Sequence, residues 1–365
     1  MPTADLAPRV TLAAAGVLLL TLSGPAFAAD FATFQRDESP AIATALGTTP
    51  KHYRQIEPSL YHLTQRHAAT LDSLPTTERR DRLVALARFI DAKRTAVADA
   101  AVIAPGRSLI GLLDPDHGLA PKEITALATA YHCTATIFKK TDPAESLADV
   151  ATAFLKAVTA AAQPKAAPTT IVVLGHGLPT EIQSYHIPVE QLADTLVTAA
   201  TPAGSDAPID LGNLTIICDD CYSADFMINL SHGIVERCHD RSLQLAHLPT
   251  LIAGTNRDCV GHADVSATFV PHFWKDVIEL FYIRKPHPDA ITLGDFFEKV
   301  DNMMYGYGRQ PIISGSHVTG YRLTDPTMVQ DPVVFVPLST EECTELRRLL
   351  GLGPDDRCDP FLDIG

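Results

Sequence analysis

Basic residues are scarce in this sequence: 29 Lys and Arg face 43 Asp and Glu, a formal net charge of −14. That balance argues against a nucleic-acid-binding or anionic-lipid-binding role, because both rest on basic patches. Long apolar runs are missing too. Beyond the first 22 residues no stretch approaches the ~20 apolar residues that cross a bilayer, so no membrane span is expected. There is no internal repeat, and no low-complexity tract beyond a general richness in alanine. Cysteine is sparse and odd in number, seven in 365 residues, which leaves at least one thiol outside any disulfide set. What remains is 46% apolar, enough for a globular chain with a sizeable core.

The first 28 residues read as a signal peptide. Arg9 precedes an apolar run from Val10 to Leu22, Gly24-Pro25 breaks it, and Ala26-Phe27-Ala28 is a small-x-small cleavage site. The mature chain is expected to start near Ala29 and to be exported, periplasmic or extracellular, where disulfides are permitted. Cys343 with Cys358, and Cys238 with Cys259, are the candidate pairs.

Residues 29–104 have a helical pattern, with Leu83, Val84, Leu86, Ala87, Phe89 and Ile90 at helical spacing after Thr76-Thr77-Glu78. Ala104-Pro105-Gly106 breaks it. From 105 to 325 short apolar runs alternate with helical segments. Strands are expected at 108–113, 134–138, 170–174, 214–217, 250–253 and 310–314. Helices are expected at 121–131, 144–162, 189–200, 266–282 and 292–304. Unbroken apolar strands alternating with helices predict an α/β fold whose sheet is mainly parallel and flanked by helices. Residues 326–365 read as a C-terminal extension.

Parallel sheets place their chemistry beyond the C-terminal ends of the strands. Two polar motifs stand there: Gly175-His176-Gly177 after one run, Asp219-Asp220-Cys221 after another. A nucleophilic cysteine needs thiolate character, solvent access and a nearby base. Tyr222 to Phe226 resumes a helical pattern, so a helix N-terminus is expected close to the Cys221 sulfur. Either residue alone is as well read structurally, Cys221 as a buried thiol and His176 as a satisfied strand-end imidazole. Together they stand 45 residues apart, histidine upstream, against a spacing of roughly 50 in caspases.

Thr170-Ile-Val-Val-Leu-Gly-His-Gly177 resembles the hydrophobic block and His-Gly of the caspase-like (clan CD) cysteine peptidases. Leu214-Thr-Ile-Ile-Cys-Asp-Asp-Cys-Tyr-Ser223 resembles their second block, a strand ending in acidic-x-Cys and a small polar residue. The layout is that of metacaspases, legumains, gingipains and clostripains, and it covers residues from about 108 to 316. The resemblance implies a caspase-like three-layer sandwich and an exported cysteine endopeptidase with His176 and Cys221 as its catalytic dyad. It implies an oxyanion hole formed by the Gly177 and Cys221 N–H groups. The partner is then a protein or peptide substrate, and no cofactor or metal is called for. Asp219 stands where such enzymes line the primary specificity pocket, which implies cleavage after Arg or Lys; the other reading is a solvated strand-end carboxylate. Thr255, Asn256 and Arg257 fall where the pocket wall is expected, and Arg257 would either neutralise Asp219 or favour an acidic or Asn residue. With basic specificity, Arg79-Arg80 and Lys93-Arg94 become self-processing sites and residues 29–104 a propeptide.

Two other chemistries are open. Cys218-x-x-Cys221 is the motif of thiol-disulfide oxidoreductases, although its first cysteine ends an apolar strand. An inactive caspase-like binding module is the non-enzymatic alternative. His232, Cys238, His239, Cys259 and His262 have spacings that match no common zinc site. His117, after the first strand, is a candidate to line the cleft, or else a solvated loop residue. Asn213 and Asn229 match the glycosylation acceptor but sit at or within core elements, where a sugar would clash.

Overall fold

The structure is a computed structural model that describes residues 31, 33–115, 121–201, 207–254, 289–298, 309–314, 317–323, 333–353, 356 and 359–364. The segments 1–30, 116–120, 255–288 and 299–308 lie outside these. The signal peptide, His117, the expected 266–282 helix, and Cys259 and Cys358, one half of each candidate disulfide, therefore lie outside the described residues.

The N-terminal region is helical, as expected. Its main helices are α1 (Ser39–Leu46), α2 (Glu57–Arg66) and α3 (Thr76–Val97). The alternating segment follows as β1 (Ser108–Leu113), α4 (Pro121–Ala130), β2 (Thr134–Phe138), α5 (Leu147–Ala161), β3 (Thr169–Leu174), α6 (Val189–Ala200), β4 (Leu214–Asp219), α7 (Ser223–Asp240) and β5 (Thr250–Ala253). The chain ends with β6 (Val333–Pro337), α8 (Thr340–Leu350) and β7 (Phe361–Ile364).

These seven strands form one sheet in the order β7-β6-β5-β4-β3-β1-β2. The five from β1 to β5 run parallel to their neighbours, and β6 and β7 are antiparallel. The chain moves outward from β1 to β2, then crosses back to lay β3 on the other side of β1. That reversal makes the β1–β3 boundary the switch point of the sheet, where open α/β sheets bind ligands.

Two findings depart from the sequence reading. Among the described residues the strand Arg309–Ser314 pairs with His317–Leu323 in a separate hairpin and does not close the main sheet. The main sheet is instead completed from the C-terminal segment, by Val333–Pro337 and Phe361–Ile364. Antiparallel strands need no crossover helix, so they carry no strand–helix alternation to mark them.

Successive strand residues point to opposite faces, and the core divides accordingly. Val172, Leu174, Ile217, Ile252, Val334 and Leu362 pack with α1 to α4 and α8. Ile171, Val173, Ile216, Cys218, Leu251 and Phe335 pack with α5, α6 and α7. The molecule is thus three layers, helices on both faces of a mixed sheet. Each fully buried Leu, Ile or Phe contributes about 1.5–3 kcal/mol, so neither helical layer is dispensable. β7 is an edge strand and still buried along its length, because α2 and α3 lie over it.

The N-terminal helices share one core with the sheet through Leu60, Tyr61, Leu83, Leu86 and Ile90, all at most 1% exposed. Ions reinforce the joint. Arg66 of α2 meets Asp359 at 2.9 Å and Asp363 of β7 at 2.8 Å. Lys93 of α3 meets Glu342 of α8 at 2.7 Å, and Glu342 also closes a capping box with Ser339. The Arg79-Arg80 and Lys93-Arg94 bonds both lie within the single helix α3.

Candidate active site

Register brings the two motifs together. In the β3–β4 ladder Leu174 lies opposite Asp219. Counting two residues on from that pair gives His176 after β3 and Cys221 after β4, at equivalent positions beyond strands about 4.8 Å apart. His176 is exposed and Cys221 half-buried. Both leave the sheet at its C-terminal edge, beside the switch point.

The His176 turn is held by its backbone. Its N–H donates to Ser184 Oγ at 3.2 Å, and its carbonyl accepts from the Gln183 N–H at 3.1 Å. Ser184 in turn donates to Asp114, which directly follows β1 and is 3% exposed. The Asp114 N–H donates to the Leu174 carbonyl at 2.9 Å, so β1 grips the last residue of β3. Gly175 has φ +155°, and a Cβ there would lie 2.6 Å from Asp114 Cβ, so both conformation and space demand glycine. Tyr185 donates its hydroxyl to the Leu113 carbonyl at 2.6 Å and pins the loop that carries Ser184.

Cys221 stands one residue before the N-cap of α7. That N-cap, Tyr222, is left-handed at φ 58° and ψ 25°, a conformation that is costly for a large side chain and concentrates at functional sites. The eighteen residues of α7 direct a positive helix terminus toward this turn, which favours an anion such as a thiolate. Asn229 of α7 donates to the Pro179 carbonyl at 2.8 Å, tying the helix to the segment after Gly177. Asn213 likewise donates inward, to Ala161 and Ala166 carbonyls. Both glycosylation acceptors are thus committed to packing.

Two acids flank the cysteine on its N-terminal side. Asp219 is 1% exposed, which corrects the reading of a solvated carboxylate. Its carboxyl lies over Gly254 at the end of β5, where an added Cβ would fall 2.0 Å from Asp219 Oδ1. Gly254 is positioned by its own N–H, which donates to the Cys218 carbonyl at 2.8 Å. Thr255, Asn256 and Arg257, the expected pocket wall, lie outside the described residues. Asp220 is 4% exposed and packs against Gly177. Burial raises its carboxyl well above the usual range; a hydrogen bond with Cys218 opposes this and the neighbouring Asp219 adds to it. Burial likewise pushes the Cys218 thiol well above its ordinary value, with Asp220 and Asp219 adding to it. Cys218 is fully enclosed. A buried thiol held protonated cannot serve as the exposed attacking sulfur of a CxxC oxidoreductase.

The zinc candidates are dispersed in function. His232 pairs with Asp359 at 3.1 Å, His239 is exposed beside Asp240, and Cys238 is buried; Cys259 and His262 lie outside the described residues. Among the described residues no group of three or more His, Cys, Asp or Glu is arranged to hold a metal ion, and no helix is long and apolar enough to cross a membrane.

Sequence reasoning missed Asp114, Ser184 and the contact made by Asp220. Asp114 had a usable signal, since it follows an apolar strand as directly as Gly175 follows β3. Ser184 had none, because its role depends on how a loop folds back. The arrangement as a whole offers an accessible sulfur at a helix start, an exposed imidazole in the neighbouring strand-end turn, and buried carboxyls beneath. No protein-family model matches the sequence, and a search of curated proteins finds no match.

Proposed function

We propose that the chain is an exported cysteine endopeptidase of caspase-like type in which Cys221 attacks the scissile carbonyl. The observation that carries this reading is the β3–β4 register, in which His176 and Cys221 follow paired strand ends at the same level. The order of the parallel strands also fits the resemblance of the two sequence blocks. In this reaction the Cys221 thiolate forms an acyl-enzyme, and His176 protonates the leaving amine and then assists the attacking water. The Gly177 and Cys221 N–H groups donate to the developing oxyanion. Asp219 stands where such enzymes line the primary specificity pocket, and a buried acid there supports cleavage after Arg or Lys.

The test is a positional-scanning fluorogenic peptide library read against the wild type and Cys221→Ala. A preference for Arg or Lys that vanishes in the variant is the expected result. Equal turnover by both proteins would remove the peptidase reading. Self-processing has its own readout. Its candidate bonds lie inside α3, whereas cleavage favours exposed loop tips. Identical N-termini in purified wild type and Cys221→Ala would exclude it.

A further inference from the structure

Asp220 occupies a place that the reaction above leaves unused. It stands one residue before Cys221, and Gly177 stands one residue after His176. A Cβ built on Gly177 would fall 2.2 Å from Asp220 Oδ2, 2.3 Å from its Cγ and 2.6 Å from Oδ1. The whole carboxyl therefore lies on the Gly177 α-carbon, in space that any side chain at 177 would fill. It also interacts with the enclosed Cys218 thiol. One side chain thus spans the gap between the turn after β3 and the turn after β4.

We propose that Asp220 is a positioning residue for the His176–Cys221 pair, its carboxyl wedged between Gly177 and Cys218 so as to set the distance between the two turns. The inference deepens the peptidase reading and rests on it. Asp220 does not touch the reacting atoms; it acts through Gly177, whose N–H belongs to the proposed oxyanion hole, and through the backbone that leads into Cys221.

The protonation state matters to this role. Among the described residues the titratable groups around Asp220 are Cys218 and Asp219 on β4, Cys221 next in the chain, and His176 beside Gly177 on the β3 turn. Asp114, at the end of β1, stands behind Gly175. Burial favours the neutral acid. In that form Asp220 adds no charge beside the oxyanion. Once it ionises, a negative charge lies against Gly177 and opposes the negative charge that develops on the substrate oxygen. Turnover then falls on the alkaline side as Asp220 loses its proton. An asparagine of the same shape cannot ionise and removes that loss.

The experiment uses the mature full chain and the best fluorogenic peptide from the library, with Cys221→Ala as the blank. kcat and KM are measured across pH for wild type, Asp220→Asn, Asp220→Ala, Gly177→Ala and the Gly177→Ala/Asp220→Ala double variant, and thermal unfolding is followed for each. Asp220→Ala is expected to lower kcat about 100-fold with little change in KM, as small misplacements of reacting groups do. Asp220→Asn restores most of that kcat and extends activity to higher pH. Gly177→Ala lowers the melting temperature, and the double variant recovers it, because the new methyl takes the vacated space. A folded Asp220→Ala whose kcat stays within about twofold of wild type overturns the positioning role. Strictly additive losses of melting temperature overturn the wedge itself. If wild type turns over no more peptide than Cys221→Ala, the peptidase reading fails and takes the catalytic role with it. The melting temperatures then still decide whether Asp220 couples the two turns.

Discussion

The two edges of the parallel sheet are built from opposite kinds of ionisable group. At the N-terminal edge one cation, Arg107, is spread over several oxygens: the Thr169 carbonyl and Thr215 hydroxyl at 3.4 Å and the Asn213 carbonyl at 3.5 Å. At the C-terminal edge three carboxyls, Asp114, Asp219 and Asp220, stand at the ends of β1 and β4, each at most 4% exposed. A guanidinium shared among neutral oxygens is a modest structural device. Enclosed acids are costly, since burial penalises ionisation, and the adjacent Asp219 adds to that penalty at Asp220. Such costs gather where a protein does chemistry, and this is the edge from which His176 and Cys221 emerge.

The contrast can be broken at either edge. His176→Ala should have the largest effect, lowering kcat/KM on the library-derived peptide about 1,000-fold, as expected for loss of a general acid–base group. Retained turnover would mean that the carboxyl-rich edge is not the reactive one. Gly175→Ala should come next. It forces a methyl toward Asp114 at an unfavourable backbone angle and should cost about 2–3 kcal/mol in urea denaturation. An unchanged midpoint would show that the grip of β1 on the β3 turn is slack.

Asp220→Asn tests the charge itself, and its sign follows from the raised carboxyl. The folded state holds the Asp220 proton more tightly than the unfolded state. The stability linked to that proton is full below the unfolded carboxyl value of about 4 and is lost as pH rises toward the folded value. The Asn variant escapes this loss. It should match wild type below about pH 4 and exceed it by about 1–2 kcal/mol at pH 8 in denaturant titrations. A variant less stable than wild type at every pH would show that the hydrogen bonding of the carboxyl, and not its charge, governs the site. Arg107→Met should do least, within about 1 kcal/mol of wild type and with kcat unaltered. A marked loss of activity there would erase the distinction between the edges.

How far the sequence carried this picture depends on the element. The runs 108–113, 134–138 and 250–253 coincide with β1, β2 and β5, and 189–200 coincides with α6, because turn residues bound each apolar or periodic stretch. Strand β4 runs two residues beyond the reading, through Cys218 and Asp219, since a polar residue at a sheet end gives no sign of being paired. Val333–Pro337 is as apolar as any strand of the core, but its place depends on an antiparallel partner, and pairing is a tertiary property. The candidate site was legible wherever its residues stand at or just beyond a strand end. His176, Cys221 and Asp219 were found that way, and Asp114 follows the same rule. Ser184 and the Asp220–Gly177 contact were not legible, since each arises from one turn folding against another.

The ion pairs between α2 and the last strand set a condition on how the molecule comes into being. Arg66 and Asp359 are separated by 293 positions in the chain, and among the described residues β7 pairs with β6 alone. Contacts of such long range form slowly and late. While a ribosome synthesises the chain from its N-terminus, the core between α1–α3 and the sheet stays open at one side until residues 359–364 have emerged. A truncated product lacking those few residues leaves Arg66 enclosed without its carboxylates and the β6 edge unpaired, ready to recruit a strand from another chain. This four-residue strand thereby closes the core only after the rest of the sheet has been made.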